Sequence, residues 1–172
     1  STTGLRGLSS SQLAALTTDQ VAAMGTQQLA TLATDRVSAL TSTQMAAMSA
    51  EQINALGATR IALLTSQQLA ALETDDFASL TTAQIVAIDA ANVPALTTSQ
   101  IVALTTRQAS ALKSGQLAAM TTNQLVAIES QDFTAISSAA LQGLNSSQLV
   151  SLGTLAIGSM SASQVAALAT NM

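Results

Sequence analysis

Cysteine and histidine are both absent from these 172 residues, and tryptophan and tyrosine are absent with them. Without cysteine there is no disulfide and no thiolate nucleophile. Without histidine there is no histidine-based triad and no His/Cys zinc site. Neither G-x-x-x-x-G-K-[ST] nor G-x-G-x-x-G occurs, which removes the common phosphate cradles. Lys113 is the only lysine, and its neighbour Ser114 makes a poor dyad, because adjacent residues on a helix do not face each other. No catalytic residue is assigned, no enzyme is expected, and no cofactor is implied.

Aromatic rings are reduced to Phe77 and Phe133, so the core must be thin and built from Leu, Ile, Val and Ala. The net charge of −4 is small and spread out. With no basic stripe and no stacking rings, nucleic acid is not an expected partner. No apolar run approaches the roughly 20 residues of a membrane-spanning helix, so membrane insertion is not expected.

What fills the chain instead is one word. Thr97–Leu104 (T-T-S-Q-I-V-A-L) sets an eight-residue grid that holds from Ser1 onward without insertion or deletion. Octads end at every multiple of eight, and 21 of them plus Ala169–Met172 account for the whole of 1–172. Position 8 is always Leu, Ile or Met, as in Leu16, Met24 and Leu168. Position 5 is apolar throughout, with Ala109 the smallest. Position 7 is nearly always Ala, Ser or Gly, position 4 is most often Gln, and positions 1 and 2 are mostly Ser or Thr. Such self-similarity is the signature of a repeat architecture.

One continuous helix is excluded. Eight residues at about 100° each overshoot two turns by roughly 80°, so positions 5 and 8 would spiral around the rod and bury nothing consistently. A broken helix fits. With position 1 as the N-cap, Ser/Thr-x-x-Gln is a capping box, and position 8 of the preceding octad pairs with position 5 as a hydrophobic staple. The acids (among them Asp19, Asp35 and Glu51) fall at positions 1, 3 or 4, where the helix dipole favours them. Arg36, Arg60, Arg107 and Lys113 share those positions, so positions 1–4 are expected to be the solvated edge. Two or three buried side chains cannot offset the ordering entropy of eight residues, so octads must stack. The expected fold is all-α: an α-solenoid of about 21 short helices, one per octad, each about two turns long, in a single repeat array.

The rival is a β-solenoid with coils of two or three octads. Ala and Gln are poor strand formers, and positions 5 and 8, an odd number apart, cannot share a strand face without a bend. A β-solenoid would carry rows of Thr suited to ordering ice-like water or to adhesion.

Several octads depart from the word. Ser1–Leu8 has Gly4 and Arg6, while Gly25 and Gly57 stand in as caps. Glu73–Leu80 and Glu129–Ile136 share an acid at position 1, Asp at position 4 and Phe at position 5, and the added ring volume is expected to alter packing locally. Pro94 falls where an α-helix needs an amide, which implies a 3₁₀-like or kinked unit. Ser137–Met160, with Ala140, Gly143, Leu155, Ala156 and Gly158, is expected to pack more loosely. Glu73, Asp75, Asp76 and Asp89 are the one weak candidate for a Ca²⁺ site, since such sites use clustered oxygens. A solvated helix-start edge explains the same residues.

Leu80–Ile88 (L-T-T-A-Q-I-V-A-I) and Leu96–Leu104 (L-T-T-S-Q-I-V-A-L) carry a resemblance. The wording resembles Thr/Gln/Ala/Leu octapeptide arrays in very large bacterial secreted or surface proteins of adhesin- and haemolysin-like type. It is also similar to the short-helix superhelix of the amino-terminal domain of MgtE magnesium transporters, which implies a right-handed coil. No functional residue carries over from either.

The expected function is a structural repeat module: a rod-like or superhelical spacer or scaffold of a bacterial surface or secreted protein, able to assemble end to end into fibres. Partners would be the chain itself or neighbouring repeats of a longer parent array, which the opening Ser1 and the uncapped ends imply. A protein-binding solenoid using a concave groove is the alternative, and an ice-binding or adhesive β-solenoid the third.

Overall fold

A computed structural model describes residues 7–169; the atypical Gly4 and Arg6 of the first octad lie outside them. Among the described residues every regular element is helical and none is a strand. The β-solenoid is therefore overturned, and the Thr-array ice-binding reading falls with it. The fold is an α-solenoid of short helices, as the octad grid implies.

The reason lies at each helix start. Thr97 is extended (φ −73°, ψ 154°), its hydroxyl accepts from the Gln100 amide at 3.1 Å, and its own N–H donates to Gln100 Oε1 at 2.9 Å. The same reciprocal box opens Ser10–Ala14, Thr18–Ala22, Ser42–Ala46 and Thr122–Ala127. Helices of five or six residues, about one and a half turns, follow, and the chain then re-extends for the next cap.

Position 5 faces inward without exception through the interior, from Leu13 to Leu141, and position 8 joins it from Leu32 to Leu144. Phe77 and Phe133 are fully buried in the same column as the leucines.

Three octads differ in backbone. Ala90–Ala95 is a 3₁₀ helix containing Pro94, as the missing amide requires, with Asp89 Oδ1 accepting from the Ala91 amide at 2.9 Å. Thr34–Ala39 is also 3₁₀, and Ala33, its N-cap, has no oxygen to close a box. The grid puts a break at Gly57, and the helical stretch Ala50–Ile61 is interrupted there, where the backbone leaves helical geometry. Gly25 does serve as a cap, at φ −73°. Gly57 instead adopts φ 69°, ψ 166°, a region that side chains make costly.

The chain forms two compact units, Ser1–Ile88 and Asp89–Met172. Within each, a helix packs on the one three octads away. In the first unit Thr26–Ala30 meets Ala50–Ile61, and Ala50–Ile61 meets Thr82–Ala87; in the second, Thr106–Ala111 meets Ser130–Ala135, and Ser138–Leu141 meets Ala162–Ala169. Each unit is thus a coil with between three and four octads per turn.

Looser packing does not extend through Ser137–Met160. Leu141 and Leu144 are buried, and Gly143 lies so close to the Ser114 backbone that a Cβ would sit 2.0 Å from its carbonyl oxygen. Ile157 and Val150, nearer the end of the coil, are exposed.

Candidate functional site, a column of buried glutamines

A five-residue helix has almost no interior. Its first amides and last carbonyls have no partner within the helix, so a stack of such helices must satisfy them from outside. One side chain does both. Gln68 Oε1 accepts from the Thr65 amide at 2.8 Å, which closes its own helix start. Its Nε2 donates to the carbonyls of Val37 at 2.9 Å and Leu40 at 2.6 Å, 31 and 28 residues earlier. Those carbonyls belong to the C-terminal half of an octad in the preceding turn. Each glutamine therefore ties the N-terminus of one helix to the C-terminus of another.

The arrangement repeats along both units. Gln44 reaches Leu13 and Leu16 at 2.9 and 2.7 Å, and Gln52 reaches Val21 and Met24 at 3.1 and 2.7 Å. Gln124 reaches Val93 and Leu96 at 2.8 and 2.7 Å, and Gln148 reaches Leu117 and Met120 at 3.0 and 2.8 Å. These side chains are buried, between 2% and 5% exposed. From Gln44 onward the position 4 glutamines are buried, contrary to their polar character, while positions 1 to 3 stay at the edge.

Arginine fills the donor half of this role, since a guanidinium has no acceptor to close a cap. Arg60 donates from Nε to Leu32 at 2.8 Å and from Nη2 to Ala30 at 2.9 Å, 28 and 30 residues earlier. Arg36 Nη1 donates to Leu8 at 3.1 Å, again 28 residues back. Position 4 is never Glu in any octad, although Glu closes a capping box as well as Gln does. A requirement for an N–H donor explains that choice, and it was visible in the sequence. The partner 28 residues away was not, because nothing local encodes the turn length.

Two octads put an acceptor there. Asp132 is buried, and the Thr106 hydroxyl, 26 residues earlier, donates to its Oδ1 at 2.6 Å. Asp76 is half-buried, and its carboxyl is held above the ordinary aspartate range, first by burial and then by the negative charges of Glu73, Asp75 and Glu51. The Ser49 hydroxyl donates to Glu51 at 2.8 Å and holds that carboxyl below its usual range.

The Ca²⁺ candidate does not assemble. Among the described residues no three acidic side chains are close enough to hold a metal ion. Glu73 is an N-cap, Asp75 and Asp76 sit in the first turn of Thr74–Ala78, and Asp89 caps the 3₁₀ segment of the second unit. The edge explains them. Lys113 is likewise an N-cap, of Ser114–Ala119, and Ser114 is the next residue of that helix. No helix among the described residues is long and apolar enough to cross a membrane.

The repeated word across a junction is Ala-Leu-Thr-Thr-x-Gln, as in Ala95–Gln100 and Ala103–Gln108. The ALTTAQ repeat family model matches residues 1–26, 69–106, 95–122 and 125–154, more than half of the chain. The chain belongs to the ALTTAQ repeat family. That word spans the buried Leu of position 8, the capping Thr and the glutamine, which are the parts that build the junction. The interior stretch outside the ALTTAQ matches, 27–68, holds Arg36, Gly57 and Arg60, where the clamp or the cap is built differently. No curated protein matches the chain.

Proposed function

We propose that this repeat protein is a non-catalytic structural module, a spacer or scaffold within a bacterial surface or secreted protein. The observation that carries the reading is the glutamine column: the polar side chains at position 4 are spent on holding one turn to the next, at a fixed sequence separation. A bonding scheme that depends only on the preceding turn sets no limit on length, which is what a spacer needs. The resemblance to octapeptide arrays of large secreted and surface proteins supports the location. Antibody against the chain should label intact cells; labelling only after permeabilisation would contradict the surface assignment.

A second reading, a protein-binding solenoid, is favoured by one feature. Val102, Val126 and Val150 all occupy position 6 and are 47%, 60% and 85% exposed. Their helices, Thr98–Val102, Thr122–Ala127 and Ser146–Ser151, pack in succession, so the three valines form an apolar stripe of the kind that marks interaction sites. Capture of one stoichiometric partner, lost on Val126→Lys, would favour this reading over the spacer.

A further inference from the structure

We infer that the hollow beside Ala140 is a binding site for a primary carboxamide, the end group of a small amide or of a glutamine or asparagine side chain. The site lies inside the coil. Ser138–Leu141 packs on Ser114–Ala119 of the preceding turn and on Ala162–Ala169 of the following one.

Ala140 stands at position 4, where most octads carry the glutamine clamp. In the next octad Gln148 Oε1 accepts from the Asn145 amide at 2.9 Å. Its Nε2 donates to the carbonyls of Ala118 and Met120 at 3.1 and 2.8 Å, 30 and 28 residues back. The same offsets from Ala140 fall on Ser110 and Leu112, and the amide to be closed is that of Ser137. Those residues surround an open hollow of about 190 Å³, which Lys113 and Ser114 also line. Gly143 brings this octad down onto the Ser114 backbone, and the hollow persists beside that contact.

Half of the cap is intact, since the Ser137 hydroxyl accepts from the Ala140 amide at 3.2 Å. The other half is open. Among the described residues the Ser137 amide and the Leu112 carbonyl make no hydrogen bond, although Leu112 is only 5% exposed. One donor and one acceptor thus face the hollow in the register that a single amide bridges in the next octad.

A primary carboxamide carries the matching acceptor and donor on one carbon. A carboxylate would be drawn by Lys113 but has no proton to give the Leu112 carbonyl, and an alkyl group satisfies neither partner. Alanine differs from glutamine by the atoms of acetamide, so acetamide is the smallest probe that fits.

Titration of the unaltered chain with acetamide, followed by nuclear magnetic resonance, tests this. The Ser137 amide proton should move downfield and saturate in the millimolar range. Thr121, whose amide Gln124 already holds, should not move. Acetate should bind about tenfold more weakly, for want of the donated hydrogen bond. Ala140→Gln supplies the amide from the chain itself and should abolish the response. If circular dichroism shows that this variant loses helix, the comparison of Ser137 with Thr121 in the unaltered chain decides alone. A tripeptide with a central glutamine separates the sources: binding tighter than acetamide identifies a partner polypeptide, and weaker binding a free small amide. No saturable shift at Ser137, an equal shift at Thr121, acetate binding as tightly as acetamide, or a folded Ala140→Gln chain that still responds would overturn the inference. The scaffold reading does not depend on the hollow and would stand in each case.

Discussion

Three consecutive octads, 121–128, 129–136 and 137–144, meet the turn beneath them in three ways. In the first, Gln124 donates downward to the Val93 and Leu96 carbonyls and closes its own cap. In the second, the direction reverses: Asp132 accepts from the Thr106 hydroxyl, and Glu129, its N-cap, makes no side-chain cap bond. In the third, Ala140 has no polar side chain to offer, and the backbone comes down onto Ser114 where Gly143 leaves room. The shared requirement is that buried backbone and side-chain polar groups meet a partner across turns. Glutamine is the frequent solution because its amide carries an acceptor and a donor at once.

Removing the third solution should cost most. Gly143→Ala places a methyl against main chain that cannot swing aside, and stability should fall by about 3 kcal/mol or more. Urea unfolding measures it; an unchanged midpoint would show that the close approach is not needed.

The first solution comes next. Gln124→Ala leaves the buried Leu96 carbonyl and the Thr121 amide short of a partner, which should cost about 2–3 kcal/mol. Gln124→Glu should be nearly as costly at neutral pH despite closing the cap, and should recover as acid restores a proton that can be donated. Equal stability of the Glu variant at neutral pH would mean that capping alone matters.

For the second solution, Thr106→Val strips Asp132 of its donor and should cost about 1–2 kcal/mol. Adding Asp132→Gln should return part of the loss, since that side chain can revert to the downward donor pattern. A double-mutant cycle reads the coupling; additive losses would separate the two residues.

The smallest effect concerns Asp76, the acceptor that burial and its acidic neighbours hold above the usual range. Folding favours its neutral form. The associated stability is present below the ordinary aspartate range and lost as pH rises through the raised value. Asp76→Asn should therefore be equal to the parent in acid and more stable at neutral pH, by less than about 1 kcal/mol given its partial exposure. A variant less stable than the parent at neutral pH would reverse that sign.

Much of this was legible in the residues. Thr97 and Gln100 announce their cap, Leu at positions 5 and 8 announces the core, and Pro94 announces a 3₁₀ segment, because each depends on neighbours within a few positions. The burial of Gln68 was not legible by the same route, since its second partner lies 28 residues away and is fixed by the turn of the coil. Arg36 and Arg60 run against the dipole rule, and their guanidinium groups sit instead on preceding-turn carbonyls. Gly57 looked like Gly25, and only its positive φ separates them.

Exchange of the glutamine side-chain amide protons, followed by nuclear magnetic resonance, tests the central claim most directly. Gln44, Gln52, Gln68, Gln124 and Gln148 should exchange slowly at a concentration where the chain is monomeric, and Gln12 and Gln20 should exchange at the rate of free amides. Uniformly fast exchange would mean that the glutamines do not bind one turn to the next.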